Sequence, residues 1–199
     1  MNSYVFHLVR RLRAAAAIGL LLAGGMSLPA QAGIETIKRM CIEEKGLREC
    51  SVSRPSFKPP AGWTVDREVG ANRGIEVFLP AGKSFGNAPV LIFGEARPNP
   101  GKTPLAEWVA SSDRKWTAMQ RDAKVVDLPG VDLGSAKREV IVHRYENPTM
   151  KNQPIEIIAY FADEDASGNA FVVRLTLSGL RAKAIEETRG VFDLVLRSY

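Results

Sequence analysis

Cysteine and histidine are nearly absent from this 199-residue chain, which carries two of each. Cys41 and Cys50 are the only thiols, and His143 is the only histidine after residue 32. A metal site at the two cysteines would need further ligands, and His143 is the only histidine left to supply one, so a metal site there is not expected. Internal repeats, low-complexity tracts and long runs of one charge are lacking as well. Lys and Arg total 27 against 22 Asp and Glu, and the signs interleave, as in Lys137-Arg138-Glu139 and from Arg181 to Glu187. A nucleic-acid surface needs a one-sided basic field, so nucleic acid is not an expected partner.

The start of the chain, by contrast, is rich in signal. Met1–Arg13 holds Arg10, Arg11 and Arg13 and no acidic residue, and Ala14–Leu22 is apolar apart from Gly19. Leu28-Pro29-Ala30-Gln31-Ala32 then supplies the small-x-small pattern that signal peptidase accepts. The expectation is an exported protein, periplasmic or secreted, cleaved after Ala32. A spanning helix needs about 20 apolar residues, and Gly24, Gly25, Ser27, Pro29 and Gln31 interrupt the stretch sooner, so no integral membrane anchor is expected after cleavage. No cysteine follows for lipid attachment, and Arg10-Arg11 lacks the neighbours of a twin-arginine signal. Cleavage removes three of the 27 basic residues and none of the 22 acidic ones, so the formal charge falls from +5 to +2.

In an oxidising compartment Cys41 and Cys50 are expected to form a disulfide. Redox pairs usually have two intervening residues, and eight stand between these. Ile34, Ile37 and Cys41 share one side of a helix, which predicts a helix over 34–45. Nine residues of continuous helix would hold the two Cα atoms about 13 Å apart, and a disulfide tolerates about 7 Å. The helix must therefore stop and turn, with Gly46 as its left-handed terminator.

Residues 1–32 thus read as a cleaved signal peptide, 33–54 as a disulfide-clipped N-terminal segment, and 55–199 as one domain. Pro55, Pro59 and Pro60 mark the boundary. Gly62–Val69 and Gly74–Leu79 read as strands around a Gly70-Ala71-Asn72-Arg73 turn, and Pro89–Gly94 as a third. Thr103-Pro104 reads as a helix start, with a side-chain cap followed by proline at the first position. Leu105, Trp108, Val109, Ser112, Trp116 and Met119 continue it as one apolar stripe. Lys124–Leu128, Arg138–Tyr145, Ile155–Phe161 and Phe171–Leu177 read as strands, and Leu180–Tyr199 as a terminal helix. Short turns between consecutive strands mean antiparallel pairing, and amphipathic helices must cover sheet surface. The predicted class is α+β: an antiparallel sheet of about six to seven strands with helices packed on it.

Phe57-Lys58-Pro59-Pro60-Ala61-Gly62-Trp63 leading a hairpin, one long middle helix, a meander and a C-terminal helix together resemble the PsbP-like fold over residues 57–199. That fold also occurs in the bacterial periplasmic DcrB-type proteins. The resemblance implies an α/β/α sandwich and a non-enzymatic binding or accessory role. It carries over no functional residues, because no partner-binding motif is present to match.

Several motifs suggest chemistry. Gly82-Lys83-Ser84-Phe85-Gly86 matches the G-x-S-x-G string of a nucleophile elbow, and His143 could be its base. An elbow needs a strand, a tight turn and then a helix, whereas Asn87-Ala88-Pro89 and a strand follow Ser84. Gly101-Lys102-Thr103 resembles the end of a phosphate loop, but Ala96 stands where the first glycine belongs, and Pro98 and Pro100 remove backbone donors. Asp163-Glu164-Asp165 is an acidic turn with a possible calcium role but without the full loop spacing. Trp63 is left open between core and ligand surface.

The leading expectation is an exported, soluble, non-enzymatic protein of the cell envelope, without cofactor or metal, that binds an envelope protein or a small ligand. It would use the loops Ala81–Asn87, Arg97–Lys102 and Asn147–Pro154. The alternatives are a small secreted hydrolase using Ser84 and His143, and a contact site on the clipped segment 33–54.

Overall fold

The structure, a computed structural model, describes residues 33–43, 46–133 and 138–199, and the expected leader lies outside the described residues. Residues 34–42 are not a helix. Alternation of Ile, Thr and charged residues over this stretch finds a partner in residues 46–56, and the two form an antiparallel ribbon, β1 (Gly33–Glu43) and β2 (Gly46–Ser56). The helical spacing of Ile34, Ile37 and Cys41 was therefore the misleading signal. In the ribbon Cys41 lies opposite Arg48 and Cys50 opposite Arg39. The cysteines are thus diagonal neighbours with Cα atoms 5.9 Å apart, and the disulfide forms. Gly46 has a positive φ of 112°, as a strand turn of the ribbon and not as a helix cap.

Beyond the ribbon the predicted element order holds, with one insertion. β3 is only Trp63–Val65, and α1 (Arg67–Arg73) follows where a strand end and a turn were expected. Asp66 caps this helix by accepting the Val69 amide at 3.0 Å, and Gly74 ends it in the left-handed conformation with φ 68°. Then come β4 (Glu76–Pro80), β5 (Val90–Pro98), α2 (Leu105–Met119), β6 (Lys124–Leu128), β7 (Ile141–Glu146), β8 (Ile155–Glu164), β9 (Ala170–Gly179) and α3 (Ala182–Arg197).

Seven of the described strands form one antiparallel sheet in the order β3-β4-β5-β9-β8-β7-β6. It is two meanders joined at β5 and β9. α2 carries the chain from β5 across three strands to the far edge at β6, so the connection that cannot be a tight turn is the one that is helical.

Both faces of the sheet are covered. In β8, Ile157, Ala159 and Phe161 belong to the cluster that also holds Ile185, Phe192, Val195 and Leu196 of α3. Ile158 and Tyr160 belong to the cluster of Leu105 and Val109 of α2. A strand covered on both sides must be apolar at consecutive positions, which is why Ile155–Phe161 reads as a continuous run. Burying one such side chain contributes roughly 1.5–3 kcal/mol. The α2 stripe is only partly a core stripe: Trp108 and Trp116 pack at its margin, and Met119 is 75% exposed. Trp63, left open by the sequence, packs against the α3-side cluster. The chain is α+β, with an antiparallel seven-stranded sheet and helices packed on it.

The ribbon meets the sheet at Gly94. A Cβ there would lie 2.7 Å from Cε2 of Phe57 and 3.0 Å from Cγ of Pro55, so only glycine admits the ring. Phe57 then stacks on Tyr199 with centroids 4.9 Å apart, and Tyr199 on Phe161 at 4.7 Å. This aromatic stack joins the root of the ribbon to the end of α3.

Candidate functional site

The sheet has two ends, and the three loops expected to bind are divided between them. At one end β5 stops at Pro98, β8 at Glu164, and β9 begins at Ala170. The segment Asn99–Pro104 crosses this end to reach α2. Asn99 is only 8% exposed, and its hydrogen bonds hold the whole turn. Its amide donates to the Ala170 carbonyl at 2.8 Å, and its carbonyl accepts the Lys102 amide at 2.9 Å. Its side-chain Oδ1 accepts the Thr103 amide at 3.0 Å, while Nδ2 donates to the Thr103 carbonyl at 2.9 Å. Lys102 is held at φ +48°, a conformation that lysine adopts only under such constraint.

Thr103 therefore does not cap α2, as the sequence had suggested. Pro104 occupies the cap position with no side-chain bond, and Trp108 donates back to its carbonyl at 3.0 Å. The same bonds answer the phosphate-loop motif. The amides of Lys102 and Thr103 are both spent on Asn99, so neither is available to a phosphate.

Between this braced turn and the β8–β9 hairpin lies a cavity of about 500 Å³. Leu105, Ala162 and Phe171 give it an apolar floor, and Lys102, Thr103 and Glu164 a polar rim. Lys102 Nζ and Glu164 Oε1 lie 2.8 Å apart, with both side chains more than half exposed. A pair so exposed contributes under about 1 kcal/mol and opens readily. A second hollow of about 350 Å³ shares Lys102, Ala170 and Phe171 with the first.

At the opposite end the loops after β4 and after β7 approach one another around a hollow of about 360 Å³, lined by Asn87, Pro89, Pro154 and Arg181 among others. Ser84 sits in the first of these loops, in an exposed turn. Its amide donates to Asn87 Oδ1 at 2.8 Å, and its carbonyl accepts the amides of Asn87 and Ala88. β5 follows this turn instead of a helix.

His143 is elsewhere. It lies on β7, three to four strands across the sheet from the β4–β5 loop, a lateral distance of about 14–19 Å. Ser84 and His143 are not brought together. Nδ1 of His143 faces Asp113 Oδ2 of α2 at 3.2 Å, and Nε2 faces Asp127 Oδ1 of β6 at 3.1 Å. Tyr145 Oη donates to the other oxygen of Asp113 at 2.5 Å and meets Tyr160 Oη at 2.6 Å. Because the Tyr145 hydroxyl spends its one proton on the bond to Asp113, the contact between the two phenols uses the Tyr160 proton. Burial, chiefly, pushes both phenol pKa values up, so each remains a protonated donor. The network ties α2 to β6, β7 and β8. Both nitrogens of His143, the only histidine among the described residues, face carboxylates.

The acidic turn does not converge either. Asp163 accepts from Tyr199 Oη at 2.6 Å and pairs with Arg138 at 3.1 Å, and Glu164 pairs with Lys102. Asp165 Oδ1 accepts the amides of Ser167 and Asn169, and its Oδ2 the Asn169 side chain. Among the described residues no group of three or more His, Cys, Asp or Glu could hold a metal ion. No described helix is long and apolar enough to cross a membrane.

Sequence reasoning placed Arg97–Lys102 among the binding loops but did not single out Asn99. Its signal was there: a turn-forming Asn set between Pro98 and Pro100-Gly101. Comparison with protein-family models and with curated proteins finds no match for the chain.

Proposed function

We propose that this chain is an exported, soluble, non-enzymatic protein of the cell envelope that binds a partner protein or small ligand in the cleft between Asn99–Leu105 and the β8–β9 hairpin. The observation that carries the reading is the turn braced by Asn99. A surface loop whose main chain is held at four points is pre-organised, and it loses little conformational freedom when something seats against it. The apolar floor under an exposed, easily parted Lys102–Glu164 pair is the composition of a binding cleft. The leader, the disulfide and the near-neutral mature charge support an envelope location, periplasmic or secreted. The order of elements supports the PsbP-like resemblance and the accessory role that goes with it.

Two experiments test the reading. N-terminal sequencing of the protein recovered from cells, with fractionation, is expected to find a chain beginning at Gly33 in the soluble envelope or medium fraction. A chain beginning at Met1 that sediments with membranes overturns the export reading. A photo-crosslinking side chain placed at Lys102 in intact cells is expected to give discrete adducts that weaken when Asn99→Ala is added. Adducts indifferent to Asn99→Ala overturn the site.

A further inference from the structure

Glu76 is an ionisable residue inside an apolar run, Ile75-Glu76-Val77-Phe78-Leu79, and it is only 6% exposed. It pairs across the sheet with Gly94, the glycine that receives Phe57. Its Oε2 accepts the Phe57 amide at 2.7 Å. One carboxyl group on the sheet thus holds the main chain of the ribbon root at the point where the ring enters its socket. The charged groups around it come from three elements. Glu35 on β1 is bonded to Arg54 of β2 at 2.6 Å, and Arg67 stands at the start of α1. β5 contributes Gly94, which has no charge, and the chain just after α3 contributes Tyr199 beyond the Phe57 ring. A polar hollow of about 280 Å³ opens onto the carboxyl between Arg54, Arg67 and Phe57.

We propose that Glu76 is a pH-sensitive latch: protonated, it holds the root of the disulfide-clipped ribbon against the sheet, and ionised, it favours release of that root into water. The docked carboxyl must shed its hydration to sit under Phe57, whereas lifting the root returns it to solvent through the hollow. Burial is the largest influence on it and raises its pKa from 4.5 to about 7, against the lowering effects of the Phe57 amide and Arg54. The folded value lies above the unfolded one, so the latch contributes its full hold below about pH 4.5. That hold declines as the pH rises towards 7 and is gone just above it. The opening equilibrium of the root should rise by about tenfold per pH unit in that window, or roughly two orders of magnitude in all.

Amide hydrogen exchange on the full mature chain tests this. The protection factor of the Phe57 amide, corrected for intrinsic exchange, is expected to fall about a hundredfold between pH 4.5 and 7.5 and to stay below that of Val173 in central β9. Glu76→Gln, whose amide oxygen can still accept the Phe57 N–H, is expected to give a flat profile. A flat wild-type profile, or Phe57 protection equal to that of Val173 at every pH, overturns the proposal. Should Glu76→Gln not fold, a carbon-13 titration of the wild-type carboxyl decides it: a midpoint near 7 supports the latch, and one near 4.5 sinks it.

Discussion

Tyr145→Phe is the most informative substitution outside the cleft, because it removes one oxygen and leaves the ring in place. The residue is 2% exposed, and its hydroxyl bridges Asp113 and Tyr160. A hydrogen bond to a charged group contributes about 1.5–3 kcal/mol and a neutral one about 0.5–1.5 kcal/mol. The Phe variant keeps the edge contact with Trp116, 5.6 Å between centroids, so no packing loss enters. The expected destabilisation is about 2–4 kcal/mol, with a fall in Tm of roughly 6–12 °C for a domain of this size. Urea unfolding followed by circular dichroism and tryptophan fluorescence reads it, at unchanged m-value. In a cycle with Asp113→Ala, which removes the acceptor, the two substitutions should couple, since each breaks the same bond. A loss under 0.5 kcal/mol with no coupling would refute the view that this network is a tie between α2 and the sheet.

Gly94→Ala is expected to destabilise by about 1–3 kcal/mol, the usual range for overpacking, and to raise exchange at Phe57 more than at Val173; an unchanged Phe57 amide contradicts the socket. Replacing Cys41 and Cys50 together by serine should lower stability by at most about 2–3 kcal/mol, the chain-entropy value for a loop of about ten residues, and denatured wild type should show no free thiol without reductant. Asn99→Ala removes both side-chain bonds to Thr103 and should lower stability by about 1–3 kcal/mol, with chemical-shift changes confined to residues near 98–105 and 162–171.

The parts of the fold legible in the sequence are those whose signals are local. Gly, Pro and Asn separate the apolar runs from Lys124 to Gly179, and α2 declares itself by a stripe beginning at Leu105. The ribbon escaped because Ile34, Ile37 and Cys41 satisfy a helical period, and only the partner strand 46–56 makes the extended pairing the better choice. α1 escaped because Gly70 looks like a breaker. It is there because Ile75 O would lie 2.8 Å from a Cβ at that position. The G-x-S-x-G string and His143 were legible as residues but not as a pair, since strand order decides what meets, and β9 inserts between β5 and β8. Glu76 could have been flagged as a charge within an apolar strand, but its partner Phe57 depends on a glycine one strand away.

The cleft beside Asn99 is the proposed place where the protein meets its partner. That placement is tested most directly by comparing photo-crosslinkers at Lys102 and at Met150, which lie at opposite ends of the sheet, in otherwise wild-type protein in intact cells. Discrete adducts are expected from position 102 and none from position 150. Adducts from position 150 alone would contradict it.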